Sequence, residues 1–229
     1  MTARRYGLIP AAGQGARLGG ETPKQYLELS GKPMLAHTVR ALLASPLIEV
    51  AFVVLSADDE RYATHDWSAF GDRIAPLWCG GATRRDSVLN GLVAMANVVD
   101  PDDWVLVHDA ARPCLARTDV ERLIAAVGED DNGGILAVPL ADTLKRADDH
   151  ERIAATEPRE RLWLAQTPQM FRYGTLLRAL GAAAVVTDEA AAVEGLGLKP
   201  RLVPGNLRNL KVTYPEDVAL ASLVLASSA

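Results

Sequence analysis

Residues 6–26 read YGLIPAAGQGARLGGETPKQY: an apolar run, then a segment that is mostly backbone, then an arginine and a lysine among five glycines. The run Tyr6–Pro10 predicts a buried first strand, and the glycine-rich segment after it predicts a loop at that strand's carboxyl end. Three glycine loops of this kind are separated by spacing. A dinucleotide fingerprint requires G-x-G-x-x-G, but Leu18 stands where the third glycine after Gly13 and Gly15 should fall. A P-loop requires lysine after its second glycine, and Glu21 follows Gly20. What remains is another phosphate cradle, whose N–H groups face an anion while Arg17 and Lys24 close around it. The plain alternative is a surface loop with incidental charges; its position favours the cradle, since open α/β sheets bind ligands beyond the carboxyl ends of their strands.

Outward from the loop, the chain alternates strand-like and helix-like patterns. Strands are predicted at Tyr6–Pro10, Val50–Leu55, Ile74–Cys79, Trp104–His108 and Ile135–Pro139, with helices over Met34–Leu43, Ser87–Val98 and Asp119–Val127. This predicts an α/β fold with a Rossmann-like, mostly parallel sheet covered by helices on both faces. The charged segment 141–161, ADTLKRADDHERIAATEPRER, breaks the rhythm. Two short runs, Thr143–Arg146 and Ile153–Thr156, flank Asp148-Asp149-His150 and predict a protruding β-arm, read either as a solvated excursion or as a reach to another subunit. Pattern returns with Leu162–Ala165, a helix near Gly174–Ala184, a strand around Arg201–Val203 and a helix after Pro215. Asp188-Glu189, following Thr187, reads as a helix cap rather than a catalytic pair. Residues 1–229 are expected to form one domain with 141–161 as its arm.

Bulk properties exclude several classes. The chain has 229 residues, 49% of them apolar, enough for a sizeable core. A net charge of −5 argues against general nucleic-acid binding, so an anionic ligand needs a local cationic cluster. Two cysteines, no signal-like N-terminus and no membrane-length apolar run predict a reduced, cytoplasmic protein without membrane partners. His37, His65 and His150 lack partners at metal-ligand spacing, so no protein metal site is expected. Cys79 and Cys114 are expected to pack.

The stretches PAAGQGARLG, PKQY, LSGKPML, GGATRRDSVLNGL, VLVHDAARP, ADTLKR, QTPQMF, TDEAAAVE and LKVTYPEDVALA occur in this order from Tyr6 to Leu225. Together they resemble the 2-C-methyl-D-erythritol 4-phosphate cytidylyltransferases. The resemblance implies a cytoplasmic homodimer that joins CMP from CTP to the acceptor phosphate and releases pyrophosphate, with Mg²⁺ carried on the CTP phosphates. It implies that Arg17, Lys24 and Lys211 are catalytic. It places Pro10, Ala11, Ala12, Gly13 and Gly15 along the nucleotide, Gly80, Gly81 and Ser87 at the base, Ala110 at the nucleotide, and Asp109 between the ribose and the second substrate. Asp109, Arg112, Thr143, Arg159, Thr167, Thr187 and Lys211 are assigned to the acceptor, Thr143 and Arg159 from the neighbouring subunit's arm.

The residue types suit that chemistry. A phosphate nucleophile is already anionic and needs no general base, whereas its attack on a triphosphate needs cations. Alternatives read from residue types alone remain for Asp109 (a cap), Arg112 (a surface arginine) and Ser87 or Asp86 (an N-cap). At the level of function the rivals are a ribitol 5-phosphate cytidylyltransferase, an NAD-dependent oxidoreductase and a nucleotide-binding regulator without catalysis.

Overall fold

The computed structural model describes residues 3–13, 22–128 and 130–227. Gly15 and Arg17 of the expected cradle lie outside the described residues.

The chain opens with β1 (Arg5–Pro10), a short hairpin of β2 (Glu28–Leu29) and β3 (Lys32–Pro33), and helix α1 (Met34–Leu43). Then come β4 (Ala51–Val54), β5 (Ile74–Leu77), α2 (Arg84–Ala94), β6 (Trp104–Val107), α3 (Arg117–Val127) and β7 (Gly134–Pro139). The arm is β8 (Leu144–Ala147) and β9 (Ile153–Glu157), and the chain closes with β10 (Trp163–Arg172), α4 (Tyr173–Ala182), α5 (Glu189–Glu194), β11 (Arg201–Pro204) and α6 (Pro215–Ala226). Among the described residues, seven strands form one sheet in the order β11-β7-β10-β6-β1-β4-β5. Only β10 runs antiparallel to its neighbours; the other pairings in this sheet are parallel.

The alternation of side chains along buried strands divides the core in two. Ile9, Val53, Leu106, Leu136 and Met170 pack on one face with Leu35, Val39 and Leu42 of α1 and Leu123 and Val127 of α3. Their sequence neighbours Leu8, Val54, Val107, Ile135 and Phe171 face the other way, onto Val88 and Leu92 of α2, Leu176 and Leu180 of α4 and Val193 of α5. Both faces of each central strand are thus apolar, which is why these strands read as continuous hydrophobic runs. Each fully buried leucine or valine in such a sandwich contributes about 1.5–3 kcal/mol through burial. Cys79 packs against the second core and Cys114 is buried in a third cluster beside Val212 and Ala221 of α6, as packing residues.

Some boundaries differ from the periodicity reading. Helix α2 begins at Arg84, three residues before the predicted Ser87, because Thr83 is its N-cap: the Thr83 Oγ1 accepts from the Asp86 N–H at 3.1 Å. Ser87 and Asp86 are therefore not the cap. The apolar stripe starts only at Val88, so the polar first turn was invisible to periodicity. The predicted Leu162–Ala165 segment is the start of the ten-residue β10. Its pairing with β7 shifts register between Ala165 and Gln169, which takes Gln166 and Thr167 out of the ladder and turns them to other work. The β2–β3 hairpin went unread; Ser30 and Gly31 both hold positive φ, 48° and 79°, as a two-residue turn of this hand requires.

Candidate active site

A cleft of about 440 Å³ opens at the carboxyl ends of the parallel strands. Its floor is the segment Pro10–Gly13 leaving β1 and the segment Asp109–Ala111 leaving β6; its walls are Gly81–Arg84 at the start of α2, Lys24-Gln25 and Lys211. The described lining residues include three cations, Lys24, Arg84 and Lys211, and one carboxylate, Asp109, which Arg84 and Lys211 face. The N-terminus of α2 adds its free N–H groups on the same side.

Each part is held by a contact that its sequence makes possible. Pro23 precedes the one-turn segment Lys24–Tyr26, from which the Gln25 Nε2 donates to the Ala11 carbonyl at 2.7 Å and the Tyr26 hydroxyl donates to Asp59 Oδ2 at 2.8 Å. These bonds fix the backbone that carries Lys24. Its Nζ lies 3.4 Å from the Val212 carbonyl, and the Val212 N–H donates to the Ala111 carbonyl at 2.8 Å. Lys24 and Lys211 thus stand on segments tied to each other and to the end of β6. A Cβ on Gly80 would lie 2.4 Å from the Ala12 Cβ, so glycine lets the segment after β5 close against the one after β1. The Gly81 N–H donates to Ser87 Oγ at 3.1 Å, and that hydroxyl donates to the Thr83 carbonyl at 3.0 Å.

Asp109 is the electrostatic centre. It is only 7% exposed, with Arg84 Nε 2.8 Å from Oδ1 and Lys211 Nζ 2.8 Å from Oδ2. Burial raises its carboxyl pKa, but Arg84, Lys211 and Arg112 more than reverse this and hold the group well below the usual carboxylate range. Arg84 in turn grips Glu189 through both oxygens, at 2.6 and 3.0 Å. Burial opposes the Arg84 charge, and its two carboxylate partners restore it and push its pKa up.

Behind Asp109 lies a fully accounted hydrogen-bond chain. The Asp109 N–H donates to Thr167 Oγ1 at 3.0 Å, and that oxygen is 2.9 Å from His108 Nδ1. His108 Nε2 faces the Arg112 carbonyl at 3.1 Å. A carbonyl can only accept, so Nε2 carries the ring proton and Nδ1 accepts from the threonine hydroxyl. Complete burial lowers the His108 pKa to about 4, which keeps this tautomer neutral.

The sequence-predicted residues divide by location. Pro10, Ala11, Ala12, Gly13, Lys24, Gly81, Ser87, Asp109, Ala110 and Lys211 come together on the cleft. Gly80 and Thr167 stand one layer behind it, with the Thr167 hydroxyl committed to Asp109 and His108. Arg112 is not a surface arginine. It is 9% exposed, donates to the Asn209 carbonyl at 2.6 Å, and keeps a buried Nε that lies 3.8 Å from Asp109 without a hydrogen bond. Burial lowers its pKa, only partly offset by Asp109. Thr187 lies beyond Arg84, lining a second hollow of about 190 Å³. Thr143 and Arg159 are exposed on the arm segment and do not join the cleft of their own chain.

Two site residues were missed. Asp188 does cap α5, accepting from the Ala191 N–H at 2.9 Å, but Glu189 beside it is a buried partner of Arg84 rather than part of a cap. Arg84 was passed over, although arginine in the first turn of a helix opposes the helix dipole and needs a reason to be there. Among the described residues no three His, Cys, Asp or Glu side chains converge as metal ligands, and no helix is long and apolar enough to cross a membrane.

A mostly parallel sheet that delivers two lysines, an arginine-bound aspartate and a helix N-terminus to one cleft defines a Rossmann-like enzyme built for a polyanionic substrate. Comparison with known proteins narrows that class. Residues 6–227 match the family model of 2-C-methyl-D-erythritol 4-phosphate cytidylyltransferase. The proteins of that name from Dechloromonas aromatica and an Azoarcus species are 58% and 57% identical, over 97% of this chain and 97% and 94% of theirs. A solved 4-diphosphocytidyl-2C-methyl-D-erythritol synthase is 40% identical with a TM-score of 0.88, covering 98% of this chain and all of that one. The Francisella tularensis cytidylyltransferase structure is 36% identical with a TM-score of 0.78, over 97% of this chain and 100% of its own. The chain belongs to the 2-C-methyl-D-erythritol 4-phosphate cytidylyltransferase family, and is therefore a nucleotidyltransferase.

Proposed function

We propose that this enzyme transfers CMP from CTP to the phosphate of 2-C-methyl-D-erythritol 4-phosphate, giving 4-diphosphocytidyl-2-C-methyl-D-erythritol and pyrophosphate. The observation that carries the residue-level reading is the convergence of Lys24, Lys211 and Arg84-bound Asp109 on one cleft beside the helix N-terminus. An acceptor phosphate oxygen attacks the α-phosphorus, the bond to the β-phosphate oxygen breaks, and pyrophosphate leaves in line. The nucleophile is ionised near neutral pH, so no proton need be removed, and the uncharged His108 buried behind Asp109 is a strut rather than a base.

Lys24, together with Arg17, neutralises charge on the five-coordinate phosphorus, where one preorganised donor contributes about 2.7–4 kcal/mol. Lys211, fixed on Asp109, orients the acceptor. Holding the two phosphates in line supplies roughly 7–11 kcal/mol more. The backbone of Pro10–Gly13 runs along the nucleotide, with Gly81 and the Ser87 turn at the base. Asp109 is the carboxylate in the cleft and both its oxygens already face cations, so Mg²⁺ enters as part of the substrate, on the triphosphate. Thr143 and Arg159 serve a partner's acceptor phosphate, which makes the working form a homodimer joined through the arm. Free Cys79 and Cys114 suit a reducing cytoplasm.

The test is pyrophosphate release from CTP and Mg²⁺ with 2-C-methyl-D-erythritol 4-phosphate and, in parallel, ribitol 5-phosphate. Release with the former alone is expected. Release only with ribitol 5-phosphate would move the acceptor assignment, and silence with both would overturn the reading.

A further inference from the structure

Glu189 is 1% exposed, lies across Arg84 from the cleft and is not among the residues that line it. It is nevertheless built in with unusual care. Gln169 of β10, itself 1% exposed, donates to Asp188 Oδ2 and accepts from the Ala190 N–H, both at 2.9 Å, and so pins the start of α5 to the sheet. The Glu189 carboxylate then meets two nitrogens of Arg84, while the third, Nε, reaches Asp109 Oδ1. All three guanidinium nitrogens are committed, and the other oxygen of Asp109 is left to Lys211 at 2.8 Å.

We infer that Glu189 is a positioning residue for the transfer reaction: by holding Arg84 in a bidentate grip it restricts that guanidinium to one oxygen of Asp109 and reserves the other for Lys211. A guanidinium released from such a grip is free to take both oxygens of the next carboxylate, because its fork matches carboxylate geometry. Without the Glu189 charge, Arg84 is drawn fully onto Asp109 and displaces Lys211 from its seat. The same linkage joins the two hollows. Thr187, two residues before Glu189, lines the outer one, and Arg84 lines both. This inference rests on the cytidylyl-transfer reading above.

The test is a cycle of Glu189→Gln, Arg84→Met and the double variant. Glu189→Gln is expected to lower kcat/KM for the acceptor by about tenfold or more while the KM for CTP moves less than about threefold, and the double variant to be no slower than Arg84→Met alone. Wild-type acceptor kinetics in a folded Glu189→Gln, or losses that multiply in the double variant, would overturn the inference. If Arg84→Met fails to fold, having left a buried carboxylate without its partner, Glu189→Gln alone decides. Unfolding of Glu189→Gln itself would make the residue structural and equally end the proposal. A second readout does not need turnover. The Arg84 Nε–H, assigned in nitrogen-15 spectra by its loss in the double variant, should shift in Glu189→Gln as its bond to Asp109 is rearranged, and an unchanged signal overturns the coupling. An inactive wild type sinks the activity reading, whereas an active wild type matched by an equally active Glu189→Gln sinks the coupling alone.

Discussion

Lys24 shows how a single residue is prepared for charge stabilisation. Its backbone is locked from both sides, by Gln25 on the Ala11 carbonyl and by Tyr26 on Asp59, so its ammonium is brought to the cleft with little left to organise. A preorganised cation acts on the transition state more than on the bound nucleotide, which many other groups also hold. Lys24→Ala is therefore expected to lower kcat by about 100- to 1,000-fold while the KM for CTP stays within a few-fold. Steady-state pyrophosphate release measures both, and an unchanged kcat would remove Lys24 from the mechanism. Asp109 makes the complementary point: a buried carboxylate is tolerated because cations occupy both of its oxygens, and removing any one partner leaves charge exposed to a poor solvent.

The arm is the element whose construction points beyond its own chain. Among the described residues, strands β8 and β9 pair only with each other, and a two-stranded ribbon is marginal in water by itself. Its cross-strand rungs, Lys145 to Thr156 and Arg146 to Glu157, both at 2.6 Å, are exposed and add little. Ile153 is 69% exposed on the arm, and Leu162 and Leu164 at its base are 45% and 50% exposed. Apolar side chains left open beside a weak hairpin are what a second copy would cover. Replacing residues 142–159 by a short Gly-Ser turn should give a monomer in sedimentation velocity with most activity lost. A truncated protein that stays dimeric or keeps full turnover would remove the arm from assembly and from the acceptor site.

At the scale of the whole molecule, the buried network under the site couples folding to pH. His108 is neutral in the fold with a pKa near 4, whereas an unfolded histidine titrates near 6.5. Between these values the unfolded chain holds a proton that the folded chain does not, so stability is full above pH 6.5 and falls as pH drops, by about 3 kcal/mol in all once below 4. Asp109 acts in the same sense at lower pH. Its depressed folded pKa contributes stability above the ordinary carboxylate range and loses it only on further acidification, outside the histidine window. Urea midpoints of the wild type should fall steadily from pH 7 to 4.5, and His108→Gln, which keeps one donor and one acceptor, should flatten that slope. Parallel slopes in the two proteins would show that His108 is not held neutral.

The sequence by itself determined the alternation of strands and helices, the carboxyl-end loop and the odd charged arm. Each is a local matter: strand and helix periods, glycine spacing and polarity are written in neighbouring residues, and α1 falls on Met34–Leu43 as its apolar spacing predicts. Through resemblance it also marked most of the residues that line the cleft. Only the tertiary structure decided that β10 runs antiparallel, because strand direction follows from which edge the chain returns to and not from its own pattern. Only the tertiary structure revealed the Arg84–Glu189 pair, 105 residues apart, and the commitment of Thr167 to His108, 59 residues away. A sequence shows where charges and hydroxyls are, but their partners are set by packing, and a buried charge persists only where the fold brings the opposite one to it.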